Sequence, residues 1–456
     1  MHLGEWVMHS GLKYLGAIVI VASLGVASVG HAGGFAVREQ STTSQGMSFA
    51  GSAANDTLSA MYWNPAAVAN QDGMNSENHA AGIFANSELT VTGGTVLAGA
   101  NAGNSGADSG NIAKPALVSA GYLNYQLSNI DPKLFVGLST NAPFGLVIEP
   151  ENETYAGSII GRTSKVFNIV GTPTVGYKVA PWLTLAAGVQ LAYLDATFKF
   201  GPANTASSYY NGDDYGFGWT VGAMLEPVKG TKIGIGFKSQ VTYDLEGELA
   251  NNATGSGFAA DAQLTTPDIL TTVSLQQKIT DRMRFMATYE WTDWSDFDQV
   301  DIVAKQSGST VAQTLGASVA GQTYATLDAN WRDGWFVSDG LEFDYSKALT
   351  FHGGVAYKKS PIREASQRLT AVPDNDRIWL SAGLSYMAGQ ILPSLFGLKS
   401  TTTIDLAFTH ILVDDGRFEH SSVASNPALG ALGTITSEGD TESNVNIVSF
   451  ALRSKF

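Results

Sequence analysis

The 456-residue sequence contains no cysteine, which excludes thiol nucleophiles, zinc ribbons and iron–sulfur ligation together. Charge is scarce too: 15% of residues are Asp, Glu, Lys or Arg, against roughly a quarter in a soluble domain. What charge there is leans acidic, with a formal net of -15. Nucleic acid is thereby excluded as a partner, because phosphate neutralisation needs clustered Lys and Arg. Past the N-terminus no apolar run comes near the ~20 residues of a membrane-spanning helix. If the mature chain crosses a membrane, a closed barrel is the remaining way to satisfy its backbone. The seven histidines show no H-E-x-x-H spacing, and no G-x-S-x-G elbow is present, so two common hydrolase signatures are missing.

What is present begins with a leader. Lys13 precedes the apolar run Leu15 to Val29, which stops at Gly30-His31-Ala32. A basic residue, a short apolar core and small residues at the cleavage positions describe a signal peptide over residues 1–32, cut after Ala32. Met8 is a second candidate start.

From about residue 80 the dominant pattern has period two. In Trp182 to Tyr193, the residues Leu183, Leu185, Val189, Leu191 and Tyr193 fall on one face, and Thr184, Ala186, Gly188, Gln190 and Ala192 on the other. Successive side chains of a strand point to opposite faces. An apolar face beside a small, polar one fits a barrel wall between lipid and lumen. Short turns recur at 128–133, 178–181, 226–231, 278–282 and 344–348, with a longer one over 388–401. Between them lie longer polar or Gly-rich stretches, near 93–113, 147–165, 201–215, 245–265, 296–332, 359–376 and 412–442, read as loops. Six internal short turns with both chain ends on the same side give seven hairpins, hence 14 antiparallel strands, an even number as bacterial single-chain barrels have.

Trp291, Trp294, Trp331, Trp335 and Trp379 cluster near the inferred strand ends and read as interfacial girdle positions. The last strand places Val448, Phe450, Leu452, Ser454 and Phe456 on one face. It pairs with the first, near 80–92, to close the ring. Residues 33–75 do not alternate. They are rich in Gly, Ala and Ser, yet Phe35, Met47, Phe49, Met61, Tyr62 and Trp63 give them something to pack. They read as a plug within the lumen, the other reading being a flexible linker. The chain thus divides into residues 1–32 (leader), 33–75 (plug) and 76–456 (all-β transmembrane barrel).

At this point a family resemblance appears. Gly34-Phe35, Glu39, Gly46, Ala50-Gly51 and Asn64-Pro65-Ala66 resemble the N-terminal hatch of the long-chain fatty acid and aromatic hydrocarbon outer-membrane transporters, the FadL family. Val136 to Leu146, Tyr289 to Phe297 and Val372 to Gly383 resemble further strands of that family in the same order. The resemblance implies a monomeric barrel of the Gram-negative outer membrane, set among lipid and lipopolysaccharide, with no cofactor and no enzymatic activity. Its ligand is a hydrophobic small molecule, held near Phe35, Val37, Phe144 and Leu146. The ligand leaves sideways where the third strand kinks at Asn141-Ala142-Pro143 and Gly145, beside the hatch residues Gly34, Glu39, Asn64, Pro65 and Ala66. Pro143 lacks a ladder N–H and Gly145 permits unusual angles, which suits a bulge and equally suits a strand that simply ends. The loops at 201–215 and 245–265 look short for the family's capture loops. Arg38 and Arg377 are the candidate partners for a carboxylate, with a surface or girdle place the favoured reading for each. Two rival functions are a general porin, with Asp213-Asp214 and Asp414-Asp415 at its mouth, and a hydrolase built on Asp405 and His410.

Overall fold

Period-two alternation with apolar residues outward and tight turns at one end has one economical outcome, a sheet closed on itself. A computed structural model describes residues 35–97, 108–201, 207–251, 257–297, 299–305, 320–370, 372–389, 401–423 and 434–456. The leader and Gly34 lie outside the described residues.

Fourteen antiparallel strands form the barrel. They are β1 (Met74–Gly93), β2 (Asp108–Asn111 and Ala116–Gln126), β3 (Leu134–Asn141 and Gly145–Ile148) and β4 (Thr163–Ala180). Next come β5 (Leu183–Phe200), β6 (Ser208–Val228), β7 (Thr231–Lys238 and Val241–Asn251) and β8 (Gly257–Thr266 and Asp268–Lys278). β9 (Met283–Asp293 and Gln299–Ala304), β10 (Thr323–Asp328 and Gly334–Asp344) and β11 (Leu349–Lys359) follow. β12 (Arg377–Gly389), β13 (Thr401–Val413 and Gly416–Val423) and β14 (Thr434–Lys455) complete the ring. Each pairs with its neighbours in sequence, and β14 pairs with β1 from Asn75–Lys455 to Gly93–Glu438. The expected strand number and closing strand both hold.

The short turns fall between strands where the turn residues placed them; the last, 390–400, lies outside the described residues. The opposite end differs from expectation. Much of the stretches 201–215, 245–265 and 412–442, read as loops, continues the strands. The reason is a reversal of polarity. In the lower wall Leu185, Val189, Leu191 and Trp219 face outward and are exposed. Higher up, Asp213 and Glu246 point outward while Tyr243, Leu245 and Leu249 are buried inside. Strand β7 makes this switch at Ser239-Gln240: inward Gly234 and Gly236 have even numbers, and inward Val241 and Tyr243 odd ones. An offset of one residue in a strand exchanges its two faces.

Three of the five tryptophans read as girdle residues are not at the lipid surface. Trp294, Trp331 and Trp379 are buried, each inside the wall. Trp294 begins a short 3₁₀ turn (Trp294–Asp296) that interrupts β9, and Trp331 lies in the interruption of β10. Trp335 stays outward, paired across the ladder with Trp291 and stacked on Tyr357.

Candidate functional site

Residues 35–73 precede β1 and lie against the inward face of the wall. They form one turn of helix, α1 (Thr42–Gln45), and two 3₁₀ turns, Leu58–Tyr62 and Pro65–Ala69. Ser41 caps α1, its side chain accepting from the Ser44 N–H at 3.2 Å. Asn64 caps the last turn, with Pro65 at the first position, where its missing N–H leaves no intrahelical bond unmade. The Asn64 amide also donates to the carbonyls of Ala53 and Ala223, both at 2.9 Å. Such small-residue packing needs glycine in the wall. A Cβ added at Gly236 would sit 1.8 Å from the Trp63 carbonyl oxygen, and one at Gly234 the same distance from that of Ala53. From β1, the buried Glu77 carboxylate accepts the Leu58 and Ser59 N–H groups at 2.8 Å each, and His79 Nδ1 accepts that of Thr42 at 3.0 Å.

Strand β3 stops at Asn141 and resumes at Gly145. In between, the N-terminal residues replace the neighbouring strand. Val37 N–H donates to Pro143 O at 2.8 Å, and Gly145 N–H to Phe35 O at 2.7 Å. The Gln40 amide donates to Ala142 O at 2.9 Å and accepts from Asn141 Nδ2 at 3.1 Å. The Tyr122 hydroxyl of β2 donates to Gln40 O at 2.9 Å. Meanwhile the β2–β3 ladder covers Gly121–Thr140 to Gln126–Phe135 and then pauses until the single bridge Ala113–Ile148. The seven intervening residues of β2 span ~23 Å at strand rise.

Phe35 is the meeting point of the site. Its ring lies 5.5 Å from that of Phe144, 5.4 Å from Trp294 and 5.0 Å from Phe297. All four belong to an apolar cluster that fills the upper lumen and includes Leu146, Leu194, Tyr243 and Trp331. Below it a small cavity of about 30 Å³ is lined by Val37, Tyr62, Phe144, Glu290, Lys358 and Trp379, among others. That is room for about one water molecule.

Charge around this cavity is partly paired. Arg38 holds Glu290 through both carboxylate oxygens and lies over the Phe336 ring at 3.9 Å. Arg377 is buried against Asp374. Neither arginine is on the surface, contrary to the sequence reading, and each already carries a carboxylate partner. Glu39 is buried with neither side-chain oxygen hydrogen-bonded; burial pushes its carboxyl up to about 7, with only partial relief from nearby amides, Arg38 and Arg377. Lys238 packs over the Tyr62 ring at 3.4 Å, and buried Lys358 faces Trp294 at 5.9 Å. Neither ammonium has an ion-pair or hydrogen-bond partner among the described residues.

Of the residues singled out in the sequence, Val37 and Phe144 line the cavity, Phe35 packs beside it, and Leu146 is in the apolar cluster above. Asn141, Ala142, Pro143 and Gly145 all meet residues 35–40. Asn64, Pro65 and Ala66 pack instead against β6 and β7. Asp405 and His410 do not meet; the first binds Arg453 and Ser385, and the second Asn446. Lys238 and Lys358 were missed entirely, and Glu290 and Phe297 were noted only within the Tyr289 to Phe297 stretch, without a place in the site. The signal for Lys238 was its even number, the parity of the inward Gly234 and Gly236.

Similarity to known proteins fits this geometry. The family model described as outer membrane protein transport protein (OMPP1/FadL/TodX) matches residues 23–456. The 47 kDa outer membrane protein of Pasteurella multocida is 27% identical over 452 residues, covering 90% of this chain and 94% of that one. The long-chain fatty acid transport protein of Escherichia coli O6:H1 is 25% identical over 414 residues, covering 81% and 86%. Among solved structures, a Pseudomonas aeruginosa FadL homologue superposes with a TM-score of 0.77 at 20% identity, covering 92% of this chain and 99% of its own. The Ralstonia pickettii toluene transporter TbuX gives 0.61 at 16% identity, with coverage of 92% and 99%.

Proposed function

The chain belongs to the outer membrane protein transport family (OMPP1/FadL/TodX), and we propose that it moves hydrophobic small molecules inward along a path ending in the barrel wall. It is an outer-membrane β-barrel of a transporter family, not an enzyme. The observation that carries the reading is the apolar upper lumen around Phe35, Phe144, Leu146 and Trp294. A porin for polar solutes needs a wet, polar lumen. Here each CH₂ of a ligand removed from water contributes roughly 0.8 kcal/mol, with no polar solute favoured.

Residues 33–75 act as a plug, or hatch: they turn a channel into a gated passage. Their contacts with glycines of several strands, and the Glu77 and His79 anchors, support that role. Ligand bound beside Phe35 and Val37 passes Phe144 and leaves through the pause in the β2–β3 ladder, into the bilayer that is its preferred solvent. The bonds from residues 35–40 to Asn141, Ala142, Pro143 and Gly145 support a coupling between hatch and opening. Lys238 and Lys358, with Glu290 nearby but no direct ion-pair partner among the described residues, suit a ligand with an acidic head, so a long-chain fatty acid fits this pocket better than a plain hydrocarbon. One barrel holds one complete path, consistent with a monomer in lipid and lipopolysaccharide.

The test is tracer uptake by cells in which this protein is the sole porin-like channel for the solutes used. Oleate uptake rises well above that of cells lacking the protein, while permeability to a small sugar is unchanged. Sugar flux without oleate uptake would refute the reading.

A further inference from the structure

The pause between β2 and β3 is not the one place where the ladder is interrupted. Between β8 and β9 the ladder runs from Lys278–Arg284 up to Asp268–Asp293 and resumes at Ala262–Ile302. Residues 263–267 of β8, and 294–297 with 299–301 of β9, have no ladder bonds to each other. Five residues of β8 span ~16 Å at strand rise. β9 spends more residues over the same height, and the surplus forms the 3₁₀ turn that carries Trp294 and delivers Phe297 inward. The splayed strands enclose an outward-facing cleft of about 470 Å³. It lies beyond the Trp291–Trp335 pair and above the lipid-facing band, where the outward face is polar: Trp291 is level with Thr271 of β8, and the cleft begins six residues further up that strand, at Thr265. Its base is Phe297, the ring that meets Phe35 edge-on at 5.0 Å and Trp331 at a tilt at 4.9 Å.

We infer that this cleft is a second lateral port, a side entrance for uncharged hydrophobic molecules arriving through the cell-surface layer above the lipid band, resting on the transport reading above. Two features of the wall carry it. First, both interruptions lead to one residue: the β3 excursion brings Phe144 to Phe35, and the β9 excursion brings Trp294 and Phe297 to the same ring. A ligand displacing Phe297 reaches Phe35 and then the β2–β3 opening without using the axial mouth. Second, the cleft walls carry Asp244, Glu246, Asp261 and Asp301. Lys305 neutralises part of this charge by pairing with Glu246 at 3.1 Å and Asp261 at 2.9 Å. The remaining carboxylates repel a fatty-acid anion and leave a hydrocarbon unaffected, so the two ligand classes enter by different doors.

The experiment narrows the cleft from outside. Gln263 and Gln299 are exposed and stand on its two edges, so substitution there leaves the buried wall intact. The pair Gln263→Trp with Gln299→Trp fills the cleft; Gln263→Ala with Gln299→Ala leaves it open. Both are compared with the unaltered protein in cells, using radiolabelled toluene and oleate, with barrel folding checked by heat-modifiable gel mobility. The expected result is a fivefold or greater fall in toluene uptake for the tryptophan pair alone, with oleate uptake within twofold of normal. Toluene uptake by the tryptophan pair within twofold of the alanine pair overturns the port, and so does an equal fall for both tracers. If the unaltered protein carries neither tracer, the transport reading fails and the port falls with it, an outcome distinct from the loss of the port alone.

Discussion

Putting methyl groups on the two glycines of β7 that touch the hatch backbone should loosen the hatch and spare the barrel. Alanine at Gly236 places its Cβ 1.8 Å from the Trp63 carbonyl oxygen and 2.8 Å from the carbonyl carbon. Alanine at Gly234 does the same to Ala53. Relief to a normal contact requires the hatch backbone to move by more than ~1 Å, because van der Waals contact lies near 3.5 Å and atoms overlap steeply below it. A movement of that size stretches the Asn64 bonds to Ala53 and Ala223, each 2.9 Å, beyond useful geometry. Overpacking contributes about 1–3 kcal/mol and each lost hydrogen bond about 1 kcal/mol. The double variant thus shifts hatch docking by about 3–5 kcal/mol, a factor of about a hundred to several thousand in the undocked population. The strand itself tolerates alanine, since neither glycine adopts a positive φ. Planar-bilayer recording should show large, frequent conductance events in the double variant that are rare in the unaltered protein. A folded double variant that conducts no more than the original would refute the packing argument.

Two further outcomes follow from the same site. The Glu39 carboxyl, at about 7 against an ordinary 4.5, binds its proton more tightly folded than unfolded. Its stability contribution is therefore full below about pH 4.5 and is lost as pH rises through about 7, by up to about 3 kcal/mol; the protection factors of hatch amides, exchange corrected for its intrinsic base-catalysed rise, should fall between pH 5 and pH 8, and Glu39→Gln should abolish that fall. Phe35→Ala removes the ring that occupies the junction of Phe144, Trp294 and Phe297, so a hydrophobic fluorescent probe should bind more tightly by about tenfold because the pocket no longer has to be vacated; equal or weaker binding argues against Phe35 as the occupant.

The wall was legible in the sequence because lipid enforces one simple rule, apolar outward, over strands such as Leu183–Phe200. Tight turns and the closing strand followed from the same alternation. Above the lipid band the rule inverts. Asp213 and Glu246 face out there, and polar residues read as loop although they form ladders. Inside, the upper lumen is apolar, so Trp294, Trp331 and Trp379 are indistinguishable in sequence from girdle residues until their height and face are known. Single inward lysines such as Lys238 and Lys358 carry no local pattern beyond strand parity, and in β7 a two-residue interruption shifts even that. The hatch-to-β3 bonds join residues 100 apart in sequence, and only the Asn141-Ala142-Pro143 kink hinted at a partner.

The most direct test of sideways release is uptake by Ala142→Arg. Ala142 is buried at the pause between β2 and β3, where its carbonyl accepts from Gln40, and a guanidinium there blocks the opening with a charge that lipid-soluble ligand must pass. Lateral exit predicts at least a tenfold loss of oleate uptake by a variant that reaches the outer membrane with normal heat-modifiable mobility. Uptake at the original rate by that folded variant would contradict it.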